Sequence, residues 1–298
     1  MDLLKSPGAI RSWAVASLVG NMTLIITGGL VRVTGSGLGC STWPQCEPGS
    51  YLPHPEAGAH AAVEFGNRTL TFVLIGLAIG TFLAAWFARD EDTGRPRRDL
   101  RLLAFIAAIG VPIQAVIGGM SVLSNLNPWV VSLHLLASVA MVAVCVALIH
   151  RSGGVEPVVV PRRVGWLARG VFVLGMTVVV LGTVVTGSGP NSGDGGAERN
   201  GLSPELTARI HSISVWLTLL ALAGLLVLAH RIPAVWRAGL GVAVVAGLQG
   251  VVGYTQYFLG NPPALVAVHM AGTAVFTAAV AHLWLVTRLP RTVSATAG

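Results

Sequence analysis

The chain has 298 residues, of which 53% are hydrophobic and only 10% charged, whereas roughly a quarter of the residues of a soluble domain are charged. That excludes an ordinary soluble protein and defines a polytopic membrane protein. The formal charge of +7 does not mark a nucleic-acid binder, because the basic residues follow membrane topology instead of forming a patch.

Eight apolar runs predict transmembrane helices at residues 13–31, 63–88, 102–123, 129–149, 170–185, 210–229, 238–258 and 264–286, each near the ~20 residues that cross hydrocarbon. The first is too long for a signal-peptide core and lacks a cleavage pattern after it, so it reads as a mature helix. Fifteen of the nineteen basic residues, from Lys5 and Arg11 to Arg288 and Arg291, fall on one side of the predicted spans, and only Arg32, Arg68, Arg199 and Arg209 fall on the other. The positive-inside rule then puts both termini in the cytoplasm of a cell-membrane protein.

After the first span the chain leaves through "VRVTGSGLGCSTWPQC". Cys40 and Cys46 lie on the outer side, where an oxidising compartment permits a disulfide; free or metal-binding thiols are the alternative. Cys145 stands alone in an apolar run and reads as packing. The outer loop of the second half, "GSGPNSGDGGAERNGLSPEL", has no cysteine and reads as flexible.

The chain also repeats itself. Gln114 and Gln249 each stand twenty residues before a histidine, His134 and His269, with Gly118 and Gly253 also matching. The first and fifth spans both exit through Val-Thr-Gly-Ser-Gly. The predicted fold is an all-α membrane protein of eight helices, arranged as two tandem four-helix bundles related by a pseudo-twofold axis along the membrane normal. Residues 1–150 form the first half, 151–169 a cytoplasmic linker rich in Gly, Pro and Arg, and 170–298 the second half.

Of eight histidines, His54 and His60 fall in the first outer loop, His150 and His230 at cytoplasmic helix ends, and His282 reads as a packing residue in the last span. His134, His211 and His269 each lie about one turn inside the outer end of an even-numbered helix. An ionisable side chain within the bilayer is a functional candidate. Two histidines at matched depth on helices of one bundle, His211 and His269, suit axial ligation of a haem iron; structural histidines or a proton pathway are the alternatives. Repeat logic asks for a partner to His134 on the second helix, and Asn67 stands there, a poor haem ligand, which leaves five-coordination through His134 or completion by His60 or water. Glu64 lies one turn from Asn67, on a similar face, and reads as an acid/base. Arg32, Arg68 and Arg209 share the outer plane, either snorkelling or pairing with porphyrin carboxylates.

Taken together, "GGLVRVTGSGLGC" with "WPQC", the "EFGNR" opening the second helix, the histidines opening the fourth, sixth and eighth helices, and the duplicated layout resemble the haem A synthase family over nearly the whole chain. The resemblance implies oxidation of the C8 methyl of haem O to a formyl group by successive hydroxylations and loss of water, for cytochrome oxidase assembly. It implies haem b as a cofactor between His211 and His269, haem O as substrate in the first half with His134 as its iron ligand, Glu64 as the catalytic carboxylate, and Cys40 and Cys46 as the outer cysteine pair. The family pattern Glu-x-x-His-Arg reads Glu64, Asn67 and Arg68 here, so Asn67 is the departure at the second first-half ligand position. The implied partners are the haem O synthase that farnesylates protohaem, oxidase assembly factors, and an electron acceptor of unknown identity. Two rival classes are a b-type membrane electron carrier and a duplicated-repeat transporter. A carrier has no use for Glu64 and a cysteine loop in one half only. A transporter site belongs at the membrane midplane, whereas the polar residues here gather at the outer helix ends.

Overall fold

A computed structural model describes residues 8–54, 58–90, 92–154 and 156–289. Among these, eight helices are long and apolar enough to cross a membrane: α1 (Ala9–Val33), α2 (Gly58–Phe87), α3 (Arg98–Leu123), α4 (Pro128–Ile149), α5 (Arg162–Ser188), α6 (Pro204–Ala229), α7 (Pro233–Phe258) and α8 (Pro263–Leu285). Every predicted span is present. Most begin several residues earlier than hydropathy indicates, because a helix keeps its backbone hydrogen bonds as it passes from hydrocarbon into the polar interface, where the sequence is no longer apolar. Lys5 and Arg291, counted in the topology argument, lie outside the described residues.

Local chemistry explains several helix starts. Proline opens α4, α6, α7 and α8, where its missing N–H costs nothing. Asn127 caps α4 by accepting from the Trp129 amide, and Ser203 caps α6 by accepting from Leu206.

Within the first four helices α1 packs on α2, α2 on α3, α3 on α4 and α4 back on α1; the last four repeat the pattern. The two groups meet where α8 packs on α1 and α4, and α4 on α5. A large apolar cluster runs through α5 to α8 and takes in Ile25 of α1 and Val139 and Val142 of α4. A second, rich in alanine, closes the end of the first group away from the cysteine loop, around Ala14, Ala85, Ala104 and Leu148. Small residues there let the helices approach closely, as bilayer packing requires.

The predicted linker is shorter than expected, because α5 begins at Arg162. Between α4 and α5 the chain makes a π-helical turn (His150–Gly154) and a short strand β1 (Val158–Val159), which pairs in parallel with β2 (Thr287–Arg288) beyond α8. His150 at the end of α4 meets His282 of α8, with Nε2 and Nδ1 2.9 Å apart. His282 is thus hydrogen-bonded, as expected of a packing residue, and its partner is His150, one of the two histidines read at cytoplasmic helix ends.

Candidate functional site

Two cavities open toward the end of the helices that carries the cysteine loop. The first, of about 640 Å³, is lined mainly by α1 to α4 and includes Arg32, Glu64, Asn67, Arg68 and His134. The second, of about 400 Å³, lies among α5 to α8 and includes Arg209, His211 and His269. Every candidate read from the sequence except His60 and Cys40 therefore lines one cavity or the other, with Cys46 in the first. Leu135, Thr183, Thr186 and Met270 line both. The residue after His134 and the residue after His269 thus stand in a common wall one side chain thick.

In the second cavity the His211 and His269 ring centres are 6.5 Å apart, with planes at 77°. An imidazole nitrogen binds a transition metal at about 2.0–2.1 Å, which places the ring centres of two opposed ligands roughly 6.4 Å apart. The observed spacing fits one iron between them. Each ring is seated on a glycine of a neighbouring helix: a Cβ at Gly182 would meet His211 Cε1 at 3.3 Å, and one at Gly253 would meet His269 Cε1 at 3.1 Å. Both Nδ1 atoms are buried without a hydrogen bond, and the Val178 carbonyl lies near the His211 ring. Gln249 donates to the His269 backbone carbonyl at 2.8 Å, which steadies that turn of α8. Arg209, exposed at the start of α6, supplies a cation at the mouth.

In the first cavity His134 lies against Gly118 in the same manner, Cε1 being 3.0 Å from where a Cβ would stand, and its Nδ1 is buried and unpartnered. Across from it Asn67 accepts a hydrogen bond from Thr27 Oγ1 at 2.7 Å. His60 does not line this cavity; its Nδ1 is paired with Ser36 Oγ at 2.9 Å. Completion of the coordination by His60 is therefore not what the structure arranges.

Glu64 is 4% exposed. Its Oε2 accepts from the Cys40 amide at 2.6 Å, and its Oε1 accepts from Arg68 Nε at 3.1 Å and Nη2 at 2.5 Å. Arg68 also donates from Nη1 to the carbonyls of Thr42 and Gln45. One buried ion pair on α2 thereby holds the loop closed by the Cys40–Cys46 disulfide. The loop comes so close to α2 that a side chain at Gly39 would collide with the His60 backbone, and Trp43 lies on Gly119 of α3, over the cavity. The outer cysteine pair is bonded, as expected, and the loop it closes lies over the first cavity.

Arg32 reaches away from its own bundle and donates to the Thr186 carbonyl of α5 at 2.9 Å; its Nε is buried with no partner. The second outer loop, read from sequence as flexible, is tied down: Gly193 accepts from the Gly37 amide at 2.8 Å, and Asn191 donates to the Asn261 carbonyl at 3.2 Å. Glycine carbonyls and asparagine amides supply these bonds, which composition alone does not reveal. Ser192 and Gly193 so join the lining of the first cavity, a contribution the sequence reading missed.

The fold and these two cavities define a multi-pass membrane protein with one histidine-lined cavity in each group of four helices. A family model described as cytochrome oxidase assembly protein (COX15-CtaA) matches residues 11–190. The chain belongs to that family. It is 30% identical over 183 residues to the "Heme A synthase" of Lysinibacillus sphaericus, covering 59% of this chain and 57% of the relative. It is 31% identical over 175 residues to that of Exiguobacterium sp., covering 56% and 54%. A third match, to the Listeria monocytogenes protein of the same name, is 29% identical over 140 residues and covers 47% and 44%. The matched stretches thus span between 44% and 57% of the length of these relatives.

Proposed function

We propose that the protein is a haem A synthase, an oxidoreductase that converts the C8 methyl of haem O into a formyl group by two hydroxylations and loss of water. The observation that carries this reading is the asymmetry between the two cavities. The second offers a pair of histidines, as a resident cofactor needs, and the one carboxylate in its lining, Glu205, is exposed at the start of α6. The first offers one histidine, an asparagine opposite it, and a buried carboxylate beneath a braced lid, as a substrate site needs.

Held by His211 and His269, a haem b would supply reversible one-electron chemistry. In the first cavity His134 binds the iron of haem O from one side. Arg32, with a free buried Nε, and Arg209 at the mouth of the second cavity are placed to meet propionates. Arg68 is already engaged by Glu64 and by loop carbonyls, so its part is to fix the carboxylate and the lid. Glu64, fixed in turn by Arg68 and the Cys40 amide, is the group that would take a proton from the reacting carbon or stabilise positive charge there. Trp43 and the disulfide loop keep bulk water from the oxidised edge.

The two halves, residues 1–150 and 170–298, would then be tandem copies of one bundle that have diverged into a substrate site and a cofactor site, with both termini in the cytoplasm. Haem O would arrive from the farnesylating haem O synthase, and haem A would leave to oxidase assembly factors. The asymmetry also weighs against a plain b-type electron carrier, for which a lid and a buried acid in one half have no use. Expression in cells that make haem O but lack haem A tests the proposal. Haem A should appear in the membranes only when this chain is present, and haem b bound with haem O untouched would favour the carrier.

A further inference from the structure

Gln114 of α3 and Gln249 of α7 hold matching positions before their histidines, yet their side chains end differently. The Gln249 carboxamide lies on Gly272 of α8, where a side-chain carbon would collide with it, and its Nε2 reaches the His269 carbonyl. The position in α4 that matches Gly272 is Ala137. Its methyl group fills the corresponding space, so Gln114 has no such resting place.

Gln114 Nε2 donates instead to Ser138 Oγ at 2.8 Å, and Ser138 gives its own proton to the His134 carbonyl at 3.0 Å. A serine hydroxyl has one proton. With that proton committed, Ser138 faces Gln114 as an acceptor, and this fixes which end of the carboxamide is turned toward it. The oxygen Oε1 is left buried with no partner. The residue is only 9% exposed and lines the first cavity. A buried acceptor without a donor is costly and calls for a proton from whatever fills the space.

We propose that Gln114 Oε1 accepts a hydrogen bond from an alcohol group of the substrate, which in haem O is the hydroxyl on the carbon joining the farnesyl chain to the ring. This inference rests on the proposed haem O substrate. Gln114 and Ser138 stand one helical turn further from the lid than Gly118 and His134. With propionates toward the arginines and the iron level with His134, the opposite edge of the macrocycle, which bears that hydroxyl, reaches the level of Gln114. The farnesyl chain continues past Leu74, Ile75 and Val111, apolar residues of the same cavity. Protohaem has a vinyl group at that edge and offers no proton. A site built around a hydroxyl rejects the analogue that lacks it, so Gln114 would separate farnesylated substrate from its precursor.

The test is a spectral titration of the purified, haem b-loaded protein with haem O and with dehydrated haem O, which keeps the farnesyl chain and lacks the hydroxyl. Wild type should prefer haem O by about tenfold, and Gln114→Leu should bind both alike. Because the readout is a ratio, a general loss of affinity cancels. Should the leucine variant fail to fold, Gln114→Met carries the same comparison. Equal binding of the two haems by wild type, or an unchanged preference in the variant, overturns the assignment. An unchanged preference combined with release of a hydroxylated intermediate would move the recognised alcohol to the oxidised methyl, and the assignment falls. Binding of neither haem by wild type overturns the haem O reading itself, and this inference with it.

Discussion

His211 and His269 face each other across the second cavity with ring centres 6.5 Å apart and planes at 77°. Two axial imidazoles at a near-perpendicular angle give low-spin ferric haem a strongly anisotropic electron paramagnetic resonance signal, whereas parallel planes give a rhombic one. The purified protein should show the anisotropic form. His211→Ala and His269→Ala should each abolish it, and an intact low-spin signal in either variant would remove the cofactor assignment.

The Glu64–Arg68 pair sets a second expectation. Glu64→Gln keeps an acceptor for the Cys40 amide but leaves the Arg68 charge without its partner. Breaking a buried pair costs roughly 3–5 kcal/mol, and the partial exposure of the Arg68 side chain, 21%, puts this one toward the lower end. Thermal unfolding in detergent should report the loss. Haem A yield should fall by more than the remaining folded fraction explains, with haem O or a hydroxylated intermediate accumulating. Full activity per folded molecule would deny Glu64 a catalytic role.

Asn67 is held by Thr27 on the far side of the first cavity from His134. With haem O bound, wild type should show the high-spin spectrum of a histidine-ligated iron with an open or weakly occupied sixth position. Asn67→His restores the family pattern and should convert that spectrum to low spin. A low-spin substrate complex already present in wild type would place another strong ligand opposite His134.

The lid is fastened twice, by the Cys40–Cys46 bond and by the hydrogen bonds from Glu64 and Arg68. Closing so short a loop is worth about 2 kcal/mol in the chain-entropy account. Cys46→Ser should therefore lower stability by about that amount and slow turnover without displacing the second-half haem. Complete loss of haem A formation at unchanged stability would instead assign the thiols a redox role.

The large features of this molecule were legible in its sequence because bilayer physics writes them there. Each span declares itself as an apolar run, and His134, His211 and His269 stand out because an ionisable side chain at that depth has few other reasons to exist. Less visible were relationships that depend on packing between distant segments. Nothing local to Glu64 shows that its carboxylate is claimed by the Cys40 amide and by Arg68, because loop conformation decides both. The meeting of His150 with His282 needs α4 and α8 side by side, and the reach of Arg32 to Thr186 needs α1 beside the end of α5. The difference between Gln114 and Gln249 turns on one methyl group, Ala137 against Gly272, and a repeat alignment records it without showing its consequence.

The most direct test is a time course with the purified, haem b-loaded protein, haem O and a chemical electron acceptor, followed by haem extraction and mass-resolved chromatography. The account predicts that haem O declines, that a hydroxylated species rises and falls, and that haem A accumulates, with Glu64→Gln arrested before haem A. Haem O recovered unchanged while the bound haem b is reduced and reoxidised normally would contradict it.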